Sequence, residues 1–296
     1  MAKSISVFGL GAMGLVLAEV FLKKGYKTTV WNRSPEKAKD LVANGAHLAT
    51  TVAEGLEASD LIVVCLLNHE AVNTTIKQAL PSLKGRTVVN LTNGTSDHAR
   101  EMSALVIAQG GRYIHGGIMG VPPMVAAGVA FLIYSGPLEV YQSVEQDIAL
   151  LGTPRHLDAE VGTASLYDLA LLSGMYGLFT GFIHAVSLVR SQPGKDKKDI
   201  NVSEFVNTLL VPWLSHMNEY TKILADQIDA DDYSSKSARI VMQIPAIDNI
   251  VQQSKANGIS PEPIAAIQKL FILANDRGFG NDDLSQLVNH NDAKEN

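Results

Sequence analysis

The sequence predicts a doubly wound α/β region followed by an all-α region. Up to about residue 157, short β-branched runs alternate with segments of helical periodicity, which is typical of a parallel sheet covered by helices on both faces. After about residue 159 the β-type runs stop, and apolar residues recur with helical spacing. The chain has 296 residues, 46% of them hydrophobic and 18% charged, which suits two folded domains. We place these domains at residues 1–159 and 160–296.

The elements of both regions follow from local patterns. Strands are predicted where β-branched and apolar residues cluster between turn residues, at 4–9, 27–32, 61–67, 87–93, 112–118 and 129–135. Helices between the strands are predicted at 12–24, 35–44, 69–80, 96–110 and 138–150. In the all-α region they are predicted at 161–190, 202–227, 235–257, 262–276 and 282–289, and the first of these is a long interdomain helix. The charged stretch 191–200 is expected to form an exposed loop.

Charge and cysteine content exclude several classes of function. The formal net charge of -6 gives no global basic field, so no nucleic-acid partner is expected. Cys65 is the single cysteine, which excludes an internal disulfide framework and a thiolate-rich metal site and is typical of a cytoplasmic protein. The histidines are scattered without the spacing of a metal site, so no metal is predicted. The N-terminus runs straight into a strand-like segment, and neither a signal peptide nor a transit peptide is expected.

One segment raises the question of a membrane. Residues 169–189 contain no Asp, Glu, Lys or Arg and approach the length that spans a bilayer. Small and polar residues dilute this run, and its flanks are poor in aromatic and basic residues. A helix buried within the protein or within a dimer is therefore the favoured interpretation, and no membrane partner is expected.

A glycine-rich turn lies between the first predicted strand and the first predicted helix. Glycines in such a turn allow a tight bend, close approach of the backbone to a pyrophosphate, and packing of the helix on the strand. A tight structural turn is the alternative interpretation, but the surrounding α/β pattern favours a Rossmann-type dinucleotide site. The motif consists of Gly9, Leu10, Gly11, Ala12, Met13 and Gly14.

The end of the second predicted strand selects the cofactor. A site for NAD usually places a carboxylate about 20 residues after the glycines, to bind the ribose hydroxyls. This chain instead has Asn32, Arg33 and Ser34 there, with Lys37 on the next turn. Arg33 can stack on adenine and bind a 2′-phosphate, while Asn32 and Ser34 supply neutral hydrogen bonds. We therefore predict NADPH as the cofactor, although a merely solvated Arg33 and Lys37 at a helix start are the alternative.

Several motifs resemble the β-hydroxyacid dehydrogenase superfamily, to which the 6-phosphogluconate dehydrogenases belong. They are GLGAMG, WNRSPEK, LTNGT at 91–95 and HGGIMGVP at 115–122, followed by a long helix. Members of that superfamily carry a catalytic lysine six residues after a glycine, and then a pair of asparagines. Counting from Gly162, this sequence has Asp168 at the lysine position, and Leu171 and Leu172 where the asparagines would be.

The exchange of lysine for aspartate changes the chemistry that the site favours. Hydride addition to a carbonyl builds negative charge on oxygen, which a carboxylate opposes. Hydride addition to an iminium starts from a cation, which Asp168 can stabilise after taking a proton from the amine during condensation. The reaction that fits is reduction of a C=N bond.

Longer stretches resemble the imine reductases, and in particular the fungal NADPH-dependent reductive aminases. They are LTNGTSDHAR at 91–100, RYIHGGIMGVP at 112–122, SLYDLALLSGMYGLFTGFIHAV at 165–186, VPWLSHM at 211–217 and MQIPAIDNI at 242–250. The resemblance implies an enzyme that couples a ketone or aldehyde with a small amine, or reduces a preformed imine, using NADPH. It also implies catalytic roles for Asp168, Tyr176 and Asn93.

Each catalytic candidate also has a structural interpretation. Asp168 is the one charged residue between Glu160 and Arg190, so it must face a cleft or find a partner, and helix packing is its alternative. Tyr176 follows eight residues later, about 12 Å along the helix, and a buried core tyrosine is the alternative there. Asn93 ends a predicted strand at the edge where doubly wound folds bind ligands, although it could simply form a turn with Gly94. Thr95 is expected near the nicotinamide ribose.

The resemblance also implies the walls of the pocket. Trp213, Met242 and Gln243 would come from the helical region to close over the substrate, although Trp and Met are also common core residues. Ile118 and Met119 end a strand near the expected nicotinamide position. Leu66 and Leu67 are the last residues of the third predicted strand and are expected near the adenine side of the cofactor.

The expected assembly is a homodimer. A helical bundle joined through one long apolar helix leaves more apolar surface than a monomer tolerates. The resemblance implies that dimers exchange their helical domains. Two other functions remain open: a 3-hydroxyacid dehydrogenase-like oxidoreductase, which would require the missing lysine, and a non-catalytic NADPH-binding sensor, which would not need an organised Asn93, Asp168 and Tyr176.

Overall fold

In the computed structural model, residues 3–234 and 238–291 are described, and the first part of the chain forms one eight-stranded sheet. The strand order is β3-β2-β1-β4-β5-β6-β7-β8. The strands are β1 (Ser4–Phe8), β2 (Lys27–Trp31), β3 (His47–Leu48), β4 (Leu61–Val64), β5 (Thr87–Asn90), β6 (Arg112–Met119), β7 (Phe131–Ser135) and β8 (Thr153–Asp158). The order reverses between β1 and β4, which is where doubly wound sheets bind ligands.

The sheet confirms the predicted α/β fold and adds detail. All neighbouring strands are parallel except β6 and β7, which pair antiparallel from His115 opposite Ser135 to Met119 opposite Phe131. Two strands were not predicted. β3 has only two residues, and β8 contains Pro154 and few β-branched residues, so neither has the local pattern of a strand.

Helices cover both faces of this sheet. Alternate residues of β4 enter opposite hydrophobic clusters, since Val63 packs in one while Ile62 and Val64 pack in the other. This two-sided burial explains the continuous apolar runs of the central strands. The helices of this part are α1 (Ala12–Lys23), α2 (Lys39–Ala43), α3 (Val52–Glu57), α4 (His69–Ile76), α5 (Ser96–Ala108), α6 (Pro122–Ala126) and α7 (Leu138–Ile148).

The rest of the chain is helical, as predicted. Its α-helices are α8 (Thr163–Arg190), α9 (Val202–Phe205), α10 (Val211–Asp229), α11 (Ile240–Ala256) and α12 (Glu262–Ala274). A π-helical segment, Val206–Leu210, joins α9 to α10, and Pro212 lies in the first turn of α10. Residues 235–237 of one predicted helix lie outside the described residues, and α11 begins at Ile240. The last predicted helix is a 3-10 helix, Leu284–His290.

The chain divides into two compact units between Gly174 and Met175. This division falls inside α8, so the first turns of α8 belong to the sheet-containing unit. The predicted domain boundary after residue 159 stays a prediction. Helix α8 is long and apolar enough, by length and composition alone, to cross a membrane, and only 6% of its most apolar 18-residue window is buried.

Candidate active site

The glycine turn between β1 and α1 has the geometry that a dinucleotide needs. Gly9 has a φ of 102°, and a Cβ there would overlap the carbonyl oxygen of Cys65. A Cβ on Gly14 would overlap the carbonyl oxygen of Gly9, so both positions require glycine. A Cβ on Gly11 would instead meet nothing within 4 Å, and no side chain caps the N-terminus of α1 among the described residues. Open space beside uncapped helix amides fits a pyrophosphate.

Leu10, Ala12 and Met13 complete this turn, and a neighbouring side chain fixes it. The Oδ1 atom of Asn32 accepts a hydrogen bond of 2.9 Å from the backbone amide of Leu10. The Nδ2 atom of Asn32 donates to the carbonyl oxygen of Ser34 at 2.9 Å. Asn32 therefore joins the end of β2 to the glycine turn, and its predicted hydrogen bond to the cofactor stays a prediction.

Two positively charged side chains follow Asn32 in the sequence after the end of β2. Arg33 and Lys37 are both exposed, and neither forms a salt bridge within the described part of the chain. No carboxylate occupies the position that would bind the ribose hydroxyls of NAD, because Asn32, Arg33 and Ser34 stand there. Two free cations beside this strand end suit the 2′-phosphate of NADPH.

A largely buried polar network connects the carboxyl ends of β4 and β5 with Tyr113 and His115 of β6. The Leu66 amide donates to Thr92 Oγ1 at 3.0 Å, and the Thr92 amide donates to Asn90 Oδ1 at 3.1 Å. The Asn90 Nδ2 group donates to the Tyr113 hydroxyl at 3.1 Å, which lies 3.0 Å from His115 Nδ1. This network fixes the backbone at Leu66, and the next residue, Leu67, has an exposed fraction of 90%.

Two reactive side chains of this region are unsuited to chemistry. Burial, with a smaller effect of nearby His69, lowers the pKa of His115 to about 4, so its imidazole is neutral. Burial raises the pKa of the Cys65 thiol to about 11, which keeps it protonated. We therefore assign neither residue a catalytic role.

Asn93 and Asp168 come together in the sheet-containing unit. The Nδ2 atom of Asn93, just after β5, donates to Asp168 Oδ2 at 2.6 Å. Asp168 reaches this position because the start of α8 is held by hydrogen bonds, from Ser96 Oγ to the Gly162 carbonyl at 2.9 Å and from the Ala164 amide to Ser135 Oγ at 2.9 Å. Residues separated by 75 positions in sequence thus share one site.

The Asp168 carboxylate is buried and has no cation beside it. Its exposed fraction is 7%, and no salt bridge to it occurs within the described residues. Burial raises the pKa of Asp168, and the hydrogen bond from Asn93 opposes this increase. A carboxyl group with a raised pKa binds a proton more readily than an exposed aspartate, so it can exchange protons with an amine.

Gly117 on β6 allows the carboxylate to approach the sheet. A Cβ on Gly117 would lie 3.0 Å from both Cβ and Cγ of Asp168 and 3.1 Å from Oδ1. Any side chain there would therefore displace the carboxylate. The sequence analysis did not identify this residue, although a glycine inside a strand is a signal of close approach by another group.

The other predicted residues lie as follows. Ile118 and Met119 follow Gly117 on β6 and are half-buried, and Thr95 is the N-cap of α5. Tyr176, Trp213, Met242 and Gln243 belong to the second unit, on α8, α10 and α11. Tyr176, Trp213 and Met242 have exposed fractions of 61%, 61% and 60%, so none of the three is a core residue of this chain. Their roles in a pocket stay predictions.

Comparisons with known proteins agree with this geometry. The profile of the NAD binding domain of 6-phosphogluconate dehydrogenase matches residues 4–158, and that of the NADPH-dependent reductive aminase-like C-terminal domain matches residues 160–292. The chain is 46% identical to an NADPH-dependent reductive aminase of Aspergillus oryzae, over 98% of this chain and 97% of that protein.

Solved structures extend the comparison. A reductive aminase from Aspergillus terreus in complex with NADPH and ethyl levulinate has a TM-score of 0.92 and 44% identity, covering 98% of this chain and 99% of that one. A reductive aminase from Aspergillus terreus in complex with NADPH4, cyclohexanone and allyl amine has a TM-score of 0.91. It is also 44% identical, over 98% of this chain and 99% of that one. The chain therefore belongs to the NADPH-dependent reductive aminase family.

Proposed function

We propose that this protein is an NADPH-dependent reductive aminase that also reduces preformed imines. A ketone or aldehyde condenses with a small amine, water leaves, and the C=N carbon receives a hydride. One carbonyl compound, one amine, one NADPH and one proton thus give one product amine, one NADP⁺ and one water. The observation that carries the proposal is the buried Asp168 carboxylate, bonded to Asn93 at the carboxyl end of the sheet.

The residues of the site suit each stage of this reaction. NADPH supplies the hydride when it is bound. Asp168 takes a proton from the amine nitrogen as the amine adds to the carbonyl, which its raised pKa favours. The carbonyl oxygen takes one proton from solvent, and Asp168 returns its own proton to the resulting hydroxyl, which leaves as water. Asp168 is then a carboxylate again and stabilises the positive iminium, an attraction that burial strengthens. The Asn93 amide donates to Oδ2 of the carboxylate, so Oδ1 can accept a hydrogen bond from the substrate.

The direct test follows NADPH oxidation with cyclohexanone and allyl amine together. Parallel reactions contain cyclohexanone alone, allyl amine alone, or a preformed cyclic imine. We expect turnover with the pair and with the imine, and little with the ketone alone. An enzyme that reduces the ketone alone, or oxidises small 3-hydroxy acids with NADP⁺, would be a dehydrogenase. NADPH binding without turnover on any of these substrates would indicate a sensor.

We further propose a homodimer that exchanges its helical domains. The support comes from α8, which is apolar yet almost wholly exposed in the single chain, including Phe179, Phe182 and Ile183. In this dimer the cofactor region of one protomer is completed by Trp213 of the partner subunit and Gln243 of the partner subunit. The substitution Ile183→Glu places a charge on a residue that is 62% exposed in one chain.

Sedimentation velocity tests the dimer. We expect a dimer for the wild type, and for Ile183→Glu a monomer that binds NADPH but has lost most turnover. A fully active monomeric wild type would contradict the proposal, and a wild type that stays in solution only with detergent or floats with liposomes would assign α8 to a membrane. The cytoplasmic location stays a prediction, which imaging of the tagged protein in cells would test.

A further inference from the structure

The Asn93 amide can hold Asp168 only if the turn between β5 and α5 is fixed. Thr92, on one side of Asn93, is fixed by its backbone bond to Asn90 Oδ1 at 3.1 Å. Thr95, on the other side, is fixed by a bond of 3.2 Å from its backbone amide to His98 Nδ1. Only Asn93 and Gly94 lie between these two anchored amides. The position of the Asn93 side chain therefore depends on His98.

His98 contacts this turn in three ways. Its Nδ1 atom accepts from Thr95, and its own amide donates to Thr95 Oγ1 at 3.3 Å, which completes a capping box at the N-terminus of α5. The imidazole also packs on Gly94, where a Cβ would lie 3.2 Å from Nδ1. Gly94 has no positive φ, so glycine is needed there for the close approach of the ring rather than for the backbone.

The ring of His98 is itself held in place from outside the turn. It stacks on His69 of α4 with ring centroids 4.1 Å apart and an interplanar angle of 4°. His69 Nε2 lies 3.1 Å from a carboxylate oxygen of Glu101, and the second oxygen of Glu101 accepts from Asn73 at 3.2 Å. This arrangement braces the imidazole between α4 and α5. The Glu and Gln that usually fill this capping-box position would reproduce the hydrogen bond but not the aromatic stack.

We propose that His98 is a positioning residue for Asn93, and thus for the bond between Asn93 and Asp168. This proposal rests on the proposed function for its kinetic consequence, but its geometric content is independent of that function. Loss of the Nδ1 acceptor releases Thr95 and allows the turn to shift. The Asn93 amide then no longer keeps the carboxylate in the position that the reaction needs.

Two substitutions at His98 test separately the hydrogen-bond acceptor Nδ1 and the bulk of the side chain. In His98→Asn, the Oδ1 atom takes the place of Nδ1 at the same distance along the side chain. His98→Leu keeps an apolar body of similar width but cannot accept a hydrogen bond. Glu54→Leu is a matched control, because Glu54 has the same place in α3 and binds the Thr50 amide at 2.7 Å. That control removes a helix cap at a different edge of the fold.

Steady-state kinetics with cyclohexanone and allyl amine give the first readout. Since a displacement of 1 Å in a reacting group can cost about a hundredfold, we expect His98→Leu to lower kcat about tenfold. His98→Asn and Glu54→Leu should stay within about twofold of the wild type, and the KM for NADPH should change less than kcat does. Unchanged kcat in His98→Leu, or an equal loss in His98→Asn, would overturn the proposal.

A crystal structure of His98→Leu gives a readout that needs no turnover. We expect a longer distance between Asn93 Nδ2 and Asp168 Oδ2 than the 2.6 Å of the wild type. An unchanged distance would overturn the positioning role. If the wild type fails to turn over any of the substrates, the proposed function fails, while this structural comparison still decides the role of His98.

Discussion

Replacing Gly117 with alanine tests how far catalysis depends on the placement of the Asp168 carboxylate. The added Cβ would lie 3.0 Å from Asp168 Cβ and Cγ, whereas ordinary contacts begin at 3.4 Å. Asp168 must therefore retreat by about 0.4 Å, because the β6 backbone at Gly117 is held by its pairing with Ile133 of β7. Along the bond to Asn93, such a retreat would lengthen the 2.6 Å hydrogen bond to about 3.0 Å.

This displacement sets the expected size of the effect. If 1 Å of misplacement costs about a hundredfold in rate, then 0.4 Å costs about sixfold on a logarithmic scale. Overpacking should also cost about 1–3 kcal/mol of unfolding free energy, partly offset by about 0.4–1 kcal/mol from the lower entropy of the unfolded alanine chain. The assay is kcat for cyclohexanone with allyl amine, measured well below the melting temperature of each variant.

The control is a double-mutant cycle with Asp168→Ala, which removes Cγ and both carboxylate oxygens. In that background, Gly117→Ala has less to displace, so its effects on rate and on unfolding free energy should both shrink. Wild-type kcat in Gly117→Ala would refute the reasoning. An equal loss of rate with and without the carboxylate would also refute it, because the effect would then not pass through Asp168.

Three further results are expected. Asp168→Ala should lower turnover with a ketone and amine at least tenfold, about 1.4 kcal/mol of barrier, and retained turnover would show that the carboxylate has no chemical role. Asn93→Leu removes the hydrogen bond that lowers the pKa of Asp168, so activity that needs the carboxylate should be lost at a higher pH on acidification than in the wild type, and an unmoved acid limb of the pH–rate profile would contradict this. Arg33→Ala should raise the KM for NADPH about tenfold or more while changing that for NADH little, since a charge-assisted hydrogen bond contributes about 1.5–3 kcal/mol. An unchanged ratio of the two constants would exclude Arg33 from phosphate binding.

The sequence predicts those parts of the fold that depend on local patterns. Strands β1, β2, β4 and β5 consist mostly of apolar or β-branched residues, and the glycine turn after β1 has a fixed spacing. The antiparallel pairing of β7 could not be predicted, because β7 has the same composition as a parallel strand and its direction depends on the path of α6. β8 also lacks a local signal, because it becomes a strand only by pairing with β7.

The site shows the same limit at the level of single residues. Asp168 and Asn93 could be predicted as separate candidates, since Asp168 stands at the lysine position of the superfamily and Asn93 ends a predicted strand, and the resemblance to reductive aminases implies catalytic roles for both. Their contact depends on hydrogen bonds that hold the start of α8, such as that from Ser96 to the Gly162 carbonyl, and no local pattern encodes these. His98 could have been found from the spacing to Thr95, but histidine is not one of the residues that usually mark a capping box.

The energetics of Asp168 explain why a carboxylate at this position points to chemistry rather than to stability. Its pKa is raised in the folded protein, mainly by burial, so the unfolded chain gives up this proton more easily than the folded chain does. The protonated side chain therefore favours the fold at pH values below its ordinary pKa, and this contribution is lost as the pH rises through the raised pKa. A neutral asparagine could accept the same bond from Asn93 without a desolvated charge. Position 168 therefore carries a carboxylate at a cost in burial that an asparagine would avoid. The carboxylate can take a proton and stabilise a cation, and the condensation of an amine with a carbonyl compound requires both.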